Sequence, residues 1–300
     1  MKIRLAFGLS AALLLAGMAN AQQASQDQPT GDLVPPTSAS DFTAGQLDAV
    51  LAGSWRSVPN KARDVYRHPK ATLQFFGLQP DQTVIEITPG GGWYSEILAP
   101  LLRDNGHYIA AVTDNNAEAK QDVAAMHAKF AADSAEYGKA TIATFNPQAP
   151  VLGPAGSADM VLTFRNVHNW AMAGTAPAMF KAFYAVLKPG GVLGVVDHRA
   201  APGATLDSVK SSGYLPTDYV IKLATDAGFK LDEQSEINAN PKDTKDYPKG
   251  VWTLPPTLTL GDQDRAKYLA IGESDRMTLR FVKVAANKAS PAASSSAATH

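Results

Sequence analysis

Apolar and polar positions along the middle of the chain alternate between two periods. Short runs rich in Val, Ile and Leu mark strands at residues 84–87, 108–112, 140–144, 160–164 and 192–196. Between them lie stretches whose apolar residues recur three and four apart. These mark helices at 93–102, with Ile97, Leu98 and Leu101 on one side, and at 117–130, 177–187 and 217–227. Such alternation predicts a parallel sheet with right-handed crossovers and helices on both faces. Ahead of it, 44–51 and 61–76 read as helices, with Pro69 starting or kinking the second. Behind it, 229–237 and 277–284 read as strands with no helical pattern to join them as a crossover, so an antiparallel final pair is expected. The connection at 238–275 carries four prolines and Trp252. A connection that long usually forms a lid or part of a binding wall. The expected fold class is therefore α/β: a doubly wound, mostly parallel seven-stranded sheet with an antiparallel C-terminal strand and N-terminal covering helices.

Composition changes this picture only at the ends. Lys2 and Arg4 precede an apolar run at 5–17 and a small-x-small triplet, Ala19-Asn20-Ala21. This pattern predicts a signal peptide at 1–21, cut after Ala21, because the run is too short to span a bilayer. Residues 22–40, rich in Gln, Ser, Pro and Thr, read as a disordered linker. Residues 285–300, rich in Ala and Ser, read as a disordered tail, leaving a domain at 41–284. The expected location is outside the inner membrane, in a periplasm, with no stable membrane insertion after cleavage. The chain has no cysteine, which excludes disulfides, thiolate zinc sites and a lipidated cysteine at the cleavage point. Loss of Lys2 and Arg4 takes the formal charge from −1 to −3. No basic run stands out, so nucleic acid is not expected as a partner.

The candidate chemistry begins at Val84-Ile85-Glu86-Ile87-Thr88-Pro89-Gly90-Gly91-Gly92-Trp93. It reads as a buried strand ending in an acid, a glycine turn, and the start of a helix. Glycines there let backbone approach a ligand where a Cβ would clash, and the helix start favours anionic groups. A nucleotide-like cofactor follows, of which kind the turn leaves open. A dinucleotide fingerprint places Ser95 at its third glycine. An S-adenosylmethionine fingerprint places Thr88 at its first. Asp114, at the end of the second strand, suits ribose hydroxyls in either case.

Further on, Leu187-Lys188-Pro189-Gly190-Gly191 leads into Val192-Leu193-Gly194-Val195-Val196. In this order, the glycine turn, Asp114, this block and the antiparallel final pair resemble the class I S-adenosylmethionine-dependent methyltransferases, with their Rossmann-like fold, over about residues 83–284. Blocks such as Arg63-Asp64-Val65-Tyr66-Arg67-His68-Pro69, Phe164-Arg165-Asn166-Val167-His168-Asn169-Trp170, Val196-Asp197-His198-Arg199 and 272–279 resemble a family of exported bacterial methyltransferases. The resemblance implies that Glu86, Thr88, Gly90, Gly91 and Gly92 surround the methionine part of S-adenosylmethionine, and that Asp114 holds the ribose. It also implies that the transferred methyl lies over the end of the fourth strand. Arg165, Asn166 and His168 are then the catalytic candidates, with His168 the base because imidazole titrates in the right range. The same histidine would serve equally as a structural hydrogen-bonding residue beside Asn169 or Trp170. Tyr94, Arg67, His198 and Arg199 are the substrate-binding candidates. His168, Asp197 and His198 offer metal-type donors, but their spacing has no local signature and no metal is expected. The expected function is methyl transfer to a small-molecule acceptor. The alternatives are a binding protein that keeps the fold without transfer, and an NAD-dependent oxidoreductase, against which Ser95 and the C-terminal pair speak.

Overall fold

The computed structural model describes residues 39–284. The expected signal peptide, nearly all of the linker and the tail lie outside them. The N-terminal helices are α1 (Ala39–Ala52), α2 (Val58–Lys61), α3 (Asp64–Arg67) and α4 (Pro69–Phe76). The sheet-forming part runs β1 (Thr83–Ile87), α5 (Ser95–Leu102), β2 (His107–Thr113), α6 (Ala117–Ala132), α7 (Ser134–Tyr137), β3 (Thr141–Phe145), β4 (Ala158–Phe164), α8 (Val167–Ala173), α9 (Ala176–Val186) and β5 (Leu187–His198). It closes with α10 (Leu206–Val209), α11 (Thr217–Asp226), β6 (Phe229–Ser235), α12 (Arg265–Ile271) and β7 (Arg276–Lys283). No helix among the described residues is long and apolar enough to cross a membrane.

The seven strands lie in the order β3-β2-β1-β4-β5-β7-β6. The pairs from β3 through β5 are parallel, and β7 runs antiparallel to both β5 and β6. This is the expected Rossmann-like sheet. The chain winds outward from β1 in one direction and then restarts at β4 on β1's other side. The β1–β4 boundary is therefore a topological switch point, where the loops leaving the two strands diverge and open a crevice.

Alternation along the strands builds two apolar layers. Ile85 and Ile87 join Val161, Leu193, Val195, Leu279 and Phe281 beneath Phe180 and Phe183 of α9 and Val220 of α11. Val84 joins Tyr108, Met160 and Leu162 against Leu47, Phe76, Ile97, Leu98 and Met126 on the opposite face. Glu86 shares the parity of Val84, so the strand period alone turns a carboxylate toward α5 and Tyr108.

Three local differences from expectation have simple causes. The stretch 61–76 is broken rather than continuous. His68 adopts φ 41° and ψ 53° between α3 and α4, because the proline that follows disfavours right-handed helix at its predecessor. Helix α1 begins at Ala39, inside the stretch expected to be linker. The long connection after β6 contains α12 and a 3₁₀ turn at Gly250–Thr253.

Candidate functional site

A cavity of about 280 Å³ opens at the switch point. Thr88, Pro89, Gly90 and Gly91 form one side, directly after β1. Phe164, Arg165 and Asn166 form the other, directly after β4. The N-terminal segment closes it with Asn60, Arg63 and Arg67, and Pro256 reaches it from the long connection. Glu86, Trp93 and Tyr94 complete the wall.

The glycine turn is shaped as the sequence requires. Gly90 and Gly92 have φ 58° and 79°. A Cβ added at Gly90 or Gly91 would meet nothing within 4 Å, so the bare backbone faces open space there. At Gly92 a Cβ would lie 2.9 Å from Lys129 Cε, so that glycine serves packing instead. Thr88 stands where the S-adenosylmethionine fingerprint has its first glycine, and it adopts the left-handed φ of 50°. A β-branched residue is seldom found there. Arg165 adopts φ 65° at the equivalent place after β4. Left-handed non-glycine residues thus follow both strands that frame the crevice, the kind of strain that concentrates at functional sites.

Below the turn, Tyr108 Oη donates to Glu86 Oε2 at 2.5 Å, and Ser95 Oγ lies 3.4 Å from the same oxygen. Burial pushes the Glu86 carboxyl up to about 7, against the pull of those hydroxyls and of Arg67. Glu86 therefore titrates near neutrality on the cavity wall. Burial pushes Tyr94 well above the usual phenol range. Its ring stacks on Phe164, centroids 3.6 Å apart. Trp93 donates from Nε1 to Asn60 O at 2.9 Å and packs beneath the Arg67 guanidinium, 4.7 Å from its ring centre. Asn166 Nδ2 donates to Ile87 O at 2.8 Å and so fastens the ends of β1 and β4 together.

Of the residues singled out from sequence, Glu86, Thr88, Gly90, Gly91, Tyr94, Arg67, Arg165 and Asn166 meet at this cavity. Gly92 supports the turn from behind. Asp114 follows β2 at the same sheet edge, partly exposed, and is not part of the cavity wall. His168, His198 and Arg199 also fall at that edge but face elsewhere. His168 is buried, and its Nδ1 lies 2.9 Å from Asp197 Oδ1. Asp197 is fully buried and also accepts from the backbone N–H groups of Val167, His168 and His198. It thereby caps the first turn of α8 from a neighbouring strand. His198 Nδ1 lies 2.5 Å from Ser274 Oγ. Burial, reinforced by His168 and nearby arginines, holds its imidazole well below the usual range. His168, Asp197 and His198 bring three potential metal donors within 4.8 Å of one another. The Asp197 oxygens also accept from four donors, which fix the His168 ring and the first turn of α8 in place. Arg199 is paired with Asp275 and Glu236 and lines a separate cavity of about 420 Å³.

Asn60 is a wall residue that the sequence did not single out, whereas Pro256 belongs to the long connection read as a lid or binding wall. Asn60 is placed by a bond from its Nδ2 to the buried Glu96, 2.8 Å away and 36 positions along the chain, and no local pattern announces such a pairing.

No protein-family model matches the chain, and no curated protein matches it in sequence. Solved structures resemble it in fold. A SAM-dependent methyltransferase from Aquifex aeolicus aligns over 80% of this chain and 98% of its own, at 15% identity and a TM-score of 0.51. The [4+2]-cyclase SpnF aligns over 84% and 99%, at 13% identity and a TM-score of 0.55.

Proposed function

We propose that the chain is an S-adenosylmethionine-dependent methyltransferase acting on a small molecule. One observation carries this reading. A glycine turn with free space over Gly90 and Gly91 meets the end of β4 in a cavity at the switch point of a 3-2-1-4-5-7-6 sheet. Ligands of open α/β sheets bind at that place. The Aquifex aeolicus relative supports the assignment by fold.

The residues present suit the cofactor. Gly90 and Gly91 offer backbone to its methionine part, Thr88 Oγ1 is buried without a hydrogen-bond partner among the described residues, and Asp114 stands at the sheet edge for a ribose. The bound cofactor would supply an electrophilic methyl on a sulfonium, the C–S electron pair staying on sulfur as the acceptor's lone pair forms the new bond. The protein's part is to orient and to exclude water. Asn166 holds the two loops in register, Tyr94 and Phe164 form a dry wall, and Glu86 is the wall group able to exchange a proton near neutral pH. The leader read in the sequence supports an extracytoplasmic setting and kinship with exported bacterial methyltransferases.

A non-catalytic binder is the second reading. It is favoured by the engagement of His168 in the Asp197 network, away from the ligand cavity. Calorimetry with S-adenosylmethionine, S-adenosylhomocysteine and NAD tests both. Binding of the first two and not the third is expected. Binding with no methyl transfer to any acceptor in a broad screen would favour the binder. Absence of all binding would overturn both.

A further inference from the structure

The cavity wall carries more positive charge than its acids can balance. Arg63, Arg67 and Arg165 line it, and Arg276 stands directly behind. Burial lowers the Arg67 and Arg165 guanidiniums to about 10, which leaves both protonated at neutral pH. The one firmly ionised acid among them is Glu273. Burial alone would raise its carboxyl, yet the four arginines together hold it at about 2. That carboxylate is already shared. Arg63 Nε donates to it at 2.7 Å, Arg67 Nε at 3.2 Å and Arg276 at 3.2 Å. Arg276 also donates to the carbonyls of Ser274 and Tyr66. Glu86 holds its proton for about half the time near pH 7.

Arg165 is left over. Among the described residues no hydrogen bond or ion pair reaches its guanidinium, and its Nε is buried without a partner. Arg165 is only partly exposed, and Glu273 and Asp197 attract it without an ion pair or hydrogen bond. A largely desolvated charge with no directly bonded counter-ion is costly and is normally answered by one. The loop that presents it is fixed, since Arg165 N donates to Val196 O at 2.7 Å. S-adenosylmethionine does not restore the balance, because its sulfonium and ammonium outnumber its single carboxylate. A cationic cofactor in a cationic cavity calls for a negatively charged companion.

We propose that this cavity seats an organic carboxylate on Arg165 and that, given the methyltransferase reading, the carboxylate belongs to the acceptor. The planar guanidinium fork matches a carboxylate in two parallel bonds. Arg63 and Arg67 flank the seat and are steadied by Glu273.

The test uses the full chain, malonate as the probe anion, malonamide as its neutral isostere, and S-adenosylhomocysteine as the product-state cofactor. Calorimetry and thermal unfolding are the readouts. In the wild type, malonate should bind the cofactor-loaded protein and raise its Tm, with malonamide weaker by about tenfold or more. Arg165→Gln should weaken malonate by about tenfold or more while S-adenosylhomocysteine affinity moves by less than about threefold. Arg165→Lys keeps the charge and should retain part of the malonate affinity, which covers the case in which the glutamine variant fails to fold. Equal binding of malonate and malonamide would overturn the proposal. So would a malonate affinity indifferent to Arg165→Gln. A parallel fall in S-adenosylhomocysteine affinity would also overturn it, by giving Arg165 to the cofactor's own carboxylate. Malonate binding to a wild type that ignores S-adenosylhomocysteine would keep the carboxylate seat and sink the methyltransferase reading instead.

Discussion

Glu86→Gln isolates the electrostatic cost of the site. Glu86 is 2% exposed, and its carboxyl lies at about 7 in the folded chain against an ordinary 4.5. Between those values the native state keeps a proton that the unfolded chain has released. The native state binds more protons there, so stability falls as pH rises from about 4.5 to about 7, and the whole loss is present above that. At 1.36 kcal/mol per tenfold, the full displacement corresponds to about 3 kcal/mol. Glutamine keeps the shape and an oxygen for Tyr108 Oη while removing the ionisation. Its effects on packing are the same at every pH, so they cancel when two pH values are compared. The stability difference, variant minus wild type, should therefore be about 2.5 kcal/mol more favourable to the variant at pH 8 than at pH 5. Urea unfolding of both proteins at pH 5, 6, 7 and 8 measures it. A difference that stays flat across that range would refute the reasoning, and the buried carboxyl would have to be ionised throughout at little cost. The expected slope would mean that the chain keeps at its ligand cavity a group that costs stability at neutral pH, a trade common at functional sites.

Two further substitutions separate ligand space from structural support. Gly91→Val puts a side chain into open space at a residue without a left-handed φ, so stability should change by less than about 1 kcal/mol while S-adenosylhomocysteine binding disappears in calorimetry. Intact affinity in a folded Gly91→Val protein would move the ligand site elsewhere. His168→Asn removes one of the four donors to the fully buried Asp197 and should cost about 1–3 kcal/mol in urea unfolding, with S-adenosylhomocysteine affinity unchanged. Lost affinity at unchanged stability would return His168 to the ligand cavity.

The centre of the sheet was legible because β1, β2, β4 and the second half of β5 are nearly continuous apolar runs and the longer helices carry apolar stripes, signals that survive without tertiary information. Several short helices escaped that reading, α8 and α12 among them. In α8 only Val167, His168 and Trp170 are buried, too few positions for a period to show against the loop expected after β4. In α12 Tyr268 is the buried residue, and its neighbours look like any polar connection. The cavity was legible where function follows from backbone position. Residues directly after β1 and β4 must meet at the switch point, whatever their side chains, and Thr88, Gly90, Gly91, Arg165 and Asn166 do so. Rim histidines show the limit of that logic. Sequence places His168 and His198 at strand ends but cannot say which way each ring turns. Here Asp197 decides for His168. Its carboxylate needs donors in the dry interior, and the first turn of α8 and the His168 ring supply them.

The charge of the cavity was the least legible feature, because it is assembled from segments remote in sequence. Arg63 and Glu273 are 210 residues apart, as are Tyr66 and Arg276. These bonds tie the N-terminal helices to the start of β7, across the rim of the cavity. The same arginines that line the ligand space therefore hold its cover in place. Removing Glu273 would do more than unbalance a cluster: Arg63 and Arg67 would lose their shared anchor, and the buried Arg67 and the partly exposed Arg63 would join Arg165 without a directly bonded carboxylate. Cover and charge are in this sense one device, since the carboxylate that fixes the N-terminal helices is also the one that leaves Arg165 unanswered.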